Sequence, residues 1–133
     1  MNLHSNQTVL AHEIGLCRIA KVVDEFYSRV QKHPTLQEPF RVVGNWGDHR
    51  ARLTYFWWMV LGGKGLGSLH LDVVSKHVRA GFTVELLSDW LTLFREVVHS
   101  IVPRDMASAW MDRATRLGKT LVIKNDNYLA KAS

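Results

Sequence analysis

Residues 46–61 read WGDHRARLTYFWWMVL, and the fold is decided in this stretch. Trp46, His49, Leu53, Phe56, Trp57 and Val60 recur at spacings of three and four, which is one face of a helix. His49 falls on that apolar stripe, an unusual place for a polar side chain. Asn45 stands where an N-cap is needed, since its short side chain can accept from a free amide of the first turn. A helix from about Trp46 to Leu61 is therefore expected, with an imidazole on its inward face.

Upstream, Leu16, Ile19, Ala20, Val23, Phe26, Tyr27 and Val30 mark a long amphipathic helix, and Lys21, Asp24, Glu25 and Arg29 fill its other face. His33-Pro34 stops it, because the residue before proline is pushed out of the helical region. Pro34 to Phe40 reads as a short helical turn with Leu36 and Phe40 inward. Downstream lies a glycine-rich loop over residues 62–67. A short helix is expected over Ser68 to Val78, with Gly81 as a candidate cap. Thr83 then caps a long helix with Val84, Leu87, Trp90, Leu91, Phe94, Val98 and Ile101 on one face. Pro103 opens the last helix, from about Asp105, with Met106, Trp110, Leu117, Leu121 and Tyr128 inward. No segment alternates with the period of a strand, so the expected class is all-α. Residues 1–13 read as a tail or a poorly packed first turn, 14–128 as one domain, and 129–133 as a C-terminal tail.

At 133 residues and 47% hydrophobic composition the chain can bury one core. The net charge of +5 comes from scattered Lys and Arg, without the basic and aromatic strip of a nucleic-acid module. No apolar stretch has the length to span a membrane, and the first residues lack the apolar core of a signal peptide. Cys17 is the only cysteine and sits in a helical pattern, where it reads as a small buried hydrophobe. These features together give the expectation of a cytoplasmic protein with no nucleic-acid or membrane partner.

The glycine-rich loop does not make a phosphate cradle. It follows a helix rather than a strand, and Lys64 sits in its middle. Gly118-Lys119-Thr120 resembles the end of such a motif, but Arg113 occupies the position of the first glycine. The seven histidines are dispersed, with no His-Glu-x-x-His pair for zinc and no Cys-x-x-Cys-His for covalent haem attachment.

A different set carries the chemistry. His49 and His77 lie 28 positions apart on separate expected helices, and Tyr27 and Trp90 lie on two more, each among apolar neighbours. Such a set can hold a buried metal cofactor from one face and control its other face. Phe26-Tyr27-x-x-Val30, Pro39-Phe40, Trp46-x-x-His49, Phe56-Trp57, and His77 thirteen residues before Trp90-Leu91-x-Leu93-Phe94 follow one another in this order. In this the chain resembles the truncated haemoglobins, most closely their group III, over about residues 16–125.

The resemblance implies a shortened globin fold, a two-over-two helical sandwich around haem b (iron protoporphyrin IX). It implies His77 as the proximal iron ligand, with Tyr27, His49 and Trp90 on the distal side as the catalytic set. It places Phe40 on the haem and Arg52 beside a propionate. Leu53, Phe56, Trp57 and Phe94 would complete an apolar wall that excludes water. Family members often carry prolines after the proximal histidine, whereas Val78-Arg79-Ala80-Gly81 stands here. His70, seven residues before His77, competes on paper as the ligand, and the spacing to Trp90 favours His77.

A proximal imidazole leaves the sixth iron position open, and a phenol or indole N–H can donate to a diatomic bound there. The implied function is binding of dioxygen, nitric oxide and other diatomics. Redox chemistry follows, such as nitric oxide dioxygenation or peroxidase-like activation of peroxide. An external reductase is implied, since no flavin or nicotinamide domain fits in this length. The alternatives are a non-catalytic oxygen-binding or sensing globin, and a helical interaction domain that has lost haem.

Overall fold

The computed structural model describes residues 9–38, 44–64 and 83–132, with side chains described as far as Ile123. Every regular element among these residues is a helix: α1 Leu10–Ile14, α2 Leu16–Val30, α3 Trp46–Val60, α4 Val84–Ile101 and α5 Arg104–Ala132. The all-α expectation holds. The short helix expected at 68–78, the Gly81 cap, and Phe40, His70 and His77 lie outside the described residues.

The two caps read from sequence form as expected. Asn45 Oδ1 accepts from the Asp48 amide at 3.0 Å, and Thr83 Oγ1 accepts from the Leu86 amide at 3.2 Å. Each satisfies one amide that a first helical turn leaves without an intrahelical acceptor.

Helix α2 buries Ile19, Val22, Val23, Phe26, Tyr27 and Val30. Cys17 lies exposed, against the expectation of a buried hydrophobe. It precedes Ile19 by two positions, about 200° around the helix, and so faces away from the core. Leu16, expected inward, is also exposed at the first position of the helix.

Part of the segment expected to be an N-terminal tail or poorly packed turn is helical. Residues 10–14 form α1, bury Ala11 and Ile14, and donate the Ala11 amide to Leu61 O at 3.0 Å. A five-residue helix carries little periodic signal, and here the tertiary contact with the end of α3 holds it. At the other end, α5 runs to Ala132, through the segment expected to be a tail from 129.

Helix α2 packs on α3, α4 on α5, and α2 also meets α4. Tyr27, late in α2, meets Trp46 and His49, early in α3, while α1, just before α2, bonds to the end of α3. The first pair is therefore antiparallel. Leu87, early in α4, lies against Gly118, far along α5, so the second pair is antiparallel too. A Cβ at residue 118 would overlap the far end of the Leu87 side chain, so Gly118 leaves that side chain its place in the α4–α5 contact. That role replaces any reading of Gly118 as part of a phosphate loop. Buried residues of α1, α2, α3, α4 and α5 share one core, and Leu87, Leu121 and Val122 make a smaller one beside it. Among the described residues no helix is long and apolar enough to cross a membrane.

Candidate functional site

Tyr27 sits on the buried stripe of α2, one residue beyond Phe26, with 4% of its surface exposed. Burial in an apolar surround disfavours the phenolate and pushes the hydroxyl well above the usual tyrosine range. At any physiological pH the group is a protonated phenol able to donate.

His49 lies one turn into α3, held there because Asn45 caps that turn and fixes the phase of the helix. Its ring meets the Tyr27 ring edge-on, with centroids 5.1 Å apart and planes at 86°. Trp46, one turn before His49, completes a triangle. Its ring lies 5.5 Å from His49 and 5.9 Å from Tyr27. Phenol and imidazole, 22 positions apart in sequence, are thus brought into ring contact by the α2–α3 packing.

Trp90 belongs to a second aromatic group. It stacks on Phe94 at 4.6 Å, one helical turn along α4, and on Trp57 at 6.1 Å. Trp57 and Phe94 stack in turn at 5.1 Å. Phe26 joins the two groups. It meets Tyr27 edge-on at 4.9 Å and Trp90 at 5.1 Å. The three expected distal residues therefore divide. Tyr27 and His49 touch directly, and Trp90 reaches them through Phe26.

The expected wall residues on α3 differ in depth. Trp57 is 2% exposed, inside the stack. Leu53 and Phe56 are half-buried, as are His49 and Val60 on the same stripe, and Arg52 is exposed. By contrast the α2 stripe residues Ile19, Val23, Phe26 and Val30 are wholly buried. The α3 face therefore offers a partly covered apolar strip beginning at the Tyr27–His49 pair. Trp110 Nε1 is buried with no hydrogen-bond partner among the described residues, and its ring stands edge-on to Phe94 at 5.6 Å.

Sequence reasoning placed Phe26 and Trp46 on apolar stripes but did not include them in the site. The signal was available. Phe26 adjoins Tyr27 in the chain, and Trp46 lies one turn from His49 on the same face.

Among the described residues no three His, Cys, Asp or Glu side chains cluster as a metal-binding group. His77, the expected iron ligand, lies outside the described residues. Comparison of the chain with protein-family models, with curated proteins and with solved structures finds no match.

Proposed function

We propose that this chain is a haem protein of truncated-globin type that binds dioxygen and related diatomic ligands and uses them in redox chemistry. The observation that carries the reading is the Tyr27–His49 pair. It is a buried phenol, kept protonated by desolvation, in ring contact with an imidazole. A donor of this kind in an apolar surround suits a small ligand that carries partial negative charge.

The other residues fit the same group. The α3 strip of Leu53 and Phe56 offers a flat planar ligand an apolar surface. The exposed Arg52, on the same helix, suits an acidic edge reaching solvent. Pairing of α2 with α3 and of α4 with α5, with α2 meeting α4, is compatible with two helix pairs stacked across each other. In this reading His77 is the proximal ligand and Phe40 packs on the haem.

Haem, when bound, supplies the iron at which the diatomic is held and reacts. The chain's own part is to orient, donate and exclude water. Tyr27 donates its hydroxyl proton in a hydrogen bond without giving it up. His49 sits between Tyr27 and the half-buried edge of α3, where a ring rotation admits or blocks ligand. Trp57, Trp90 and Phe94 keep water from the inner wall. Such a polar pocket releases oxygen slowly, which favours nitric oxide dioxygenation or peroxide activation, with an external reductase, over oxygen transport.

The test is an absorption spectrum of the purified chain titrated with haemin. A Soret band saturating at one equivalent, lost or strongly altered in His77→Ala, is the expected outcome. The absence of a Soret band overturns the proposal. The ferrous, ligand-free protein should give a single broad visible band, the mark of five-coordinate iron. Two sharp low-spin bands that vanish in His49→Leu would show instead that His49 itself binds the iron.

A further inference from the structure

Ser28 follows Tyr27 on α2 and Arg50 follows His49 on α3, so the two stand directly beside the Tyr27–His49 contact. Both are half-buried. Arg50 Nη2 donates to Ser28 Oγ at 3.4 Å, which is long for such a bond. Arg50 Nε is buried and has no acceptor among the described residues. The Ser28 hydroxyl, which accepts from Arg50, has no acceptor there for its own proton. Glu25 is taken up by Arg29, and Asp24, one turn before Ser28, makes no ion pair with Arg50. A guanidinium partly withdrawn from water with no carboxylate beside it is costly, and such charges are usually paired. Its Nε–Nη2 edge presents two parallel donors, the geometry that fits two oxygens of one anion. There is also a way in. Gln31, which ends α2, and Gly47, one turn before Arg50, are both exposed. A Cβ built at residue 47 would meet, among the described residues, only Asn45 Oδ1 at 3.4 Å and nothing of α2.

We propose that Arg50 and Ser28 form a binding site for a small oxyanion at the α2–α3 seam, and that nitrate fills it during turnover. The nitrate assignment rests on the dioxygenation reading above, and the oxyanion site does not. Nitrate is planar and offers two oxygens to the Nε–Nη2 edge, while the Ser28 hydroxyl donates to an oxygen on its own side. An anion formed beside Tyr27 and His49 lies in an apolar surround that solvates it poorly. A fixed cation next to that pair draws it away, toward the open side at Gly47. Arg50 therefore binds the product and takes no part in the bond-making step.

The test is a titration of the isotope-labelled chain as purified, with nitrate replacing chloride at constant ionic strength. The Arg50 Nε–H resonance should shift and saturate. Arg50→Lys keeps the charge but loses the paired donors, and should weaken binding about tenfold or more. Binding in this variant is read from the effect of nitrate on the denaturant midpoint. Ser28→Ala should weaken it less. Ser28→Asp, which supplies a carboxylate from within the chain, should abolish nitrate binding and raise the denaturant midpoint. Arg18→Gln, which removes an exposed charge elsewhere on α2, should leave binding as it is. Equal weakening in Arg18→Gln and Arg50→Lys would show only general attraction to a basic chain and overturn the site. So would an Nε–H resonance that nitrate and inorganic phosphate both leave unmoved. Saturation by phosphate but not by nitrate keeps the oxyanion site and overturns the nitrate assignment. In haem-loaded protein consuming nitric oxide, added nitrate should inhibit, and Arg50→Lys should need about tenfold more of it for the same inhibition. If the chain takes up no haem, the haem reading and the role of nitrate as product fall together, and the same titration still decides the anion site.

Discussion

Tyr27 and His33 show two ways in which a polar side chain earns its place. Tyr27→Phe removes a hydroxyl and leaves the ring that packs on Phe26, His49 and Trp46. If the phenol donates to bound oxygen, losing a bond worth about 1.5–3 kcal/mol should speed oxygen release about tenfold to a hundredfold. Stopped-flow dissociation kinetics measure this, and an unchanged rate would assign the bond to Trp90 or His49. The same phenol sets an alkaline limit. Below about pH 10, the ordinary tyrosine value, both folded and unfolded chains keep the proton. Above it the unfolded chain ionises while the folded one does not, so stability falls as pH rises. Denaturant midpoints on either side of that pH should fall less in Tyr27→Phe than in wild type. His33 is read from sequence only as a helix stop. In the structure its Nδ1 also accepts from the amides of Thr35 at 3.2 Å and Leu36 at 3.3 Å, capping the turn that buries Leu36. Thr35 Oγ1 then donates to Asp89 of α4 at 2.6 Å. His33→Ala should cost about 1 kcal/mol, as other lost caps do. His33→Asn, whose side-chain oxygen can stand in for Nδ1, should restore most of it in the same unfolding experiment.

Helix α3 is tied at both ends, and the ties differ in how far they can be read. The start is local, Asn45 to Asp48, and is legible in four residues. Asn45→Ala should cost about 0.5–2 kcal/mol. If the haem reading holds, it should also broaden the haem absorption bands, because it loosens the turn carrying His49, a change that a cap far from His49 would not cause. The end is tertiary. Arg113 of α5 donates to Val60 O at 2.9 Å, and Ala11 of α1 donates to Leu61 O at 3.0 Å. Neither partner can be inferred from the sequence of α3. Gly118 meets the tip of Leu87 across the α4–α5 pair, and Gly118→Val should destabilise by about 1–3 kcal/mol through overpacking against Leu87. If its thermal midpoint equals that of wild type, the close approach at this point is not required.

Trp57 holds the two helix pairs together. From α3 it stacks on Phe94 and Trp90 of α4 and packs against Trp110 of α5 at 5.8 Å. Trp57→Ala should cost about 3–5 kcal/mol, a large share of the stability of a domain this size. The Glu25–Arg29 pair on α2 is exposed, and Arg29→Ala should change stability by less than about 1 kcal/mol despite its 2.9 Å contact. Calorimetry of the two variants compares apolar burial with surface charge directly. Similar losses would mean that the aromatic stack is not the main cohesive element.

The helices, their caps and most of their buried faces were legible because each depends on residues within a turn or two of one another. Periodicity marks Ile19, Val23, Phe26 and Val30 as inward, and the structure buries all of them. Tyr27 and His49 could be singled out as polar groups on apolar stripes, the kind of local conflict that marks a candidate site. Other features depend on residues distant in sequence, and only packing brought them together. Among them are the Tyr27–His49–Trp46 triangle, the separation of Trp90 behind Phe26, and the Arg113 bond to Val60. Val84 shows the same limit from the other side. It lies on the expected inward face of α4 but is 60% exposed, because α4 begins there and nothing requires its first residue to be covered. A period gives the direction in which a side chain points. Whether another element stands there to bury it is settled by the assembly of the helices.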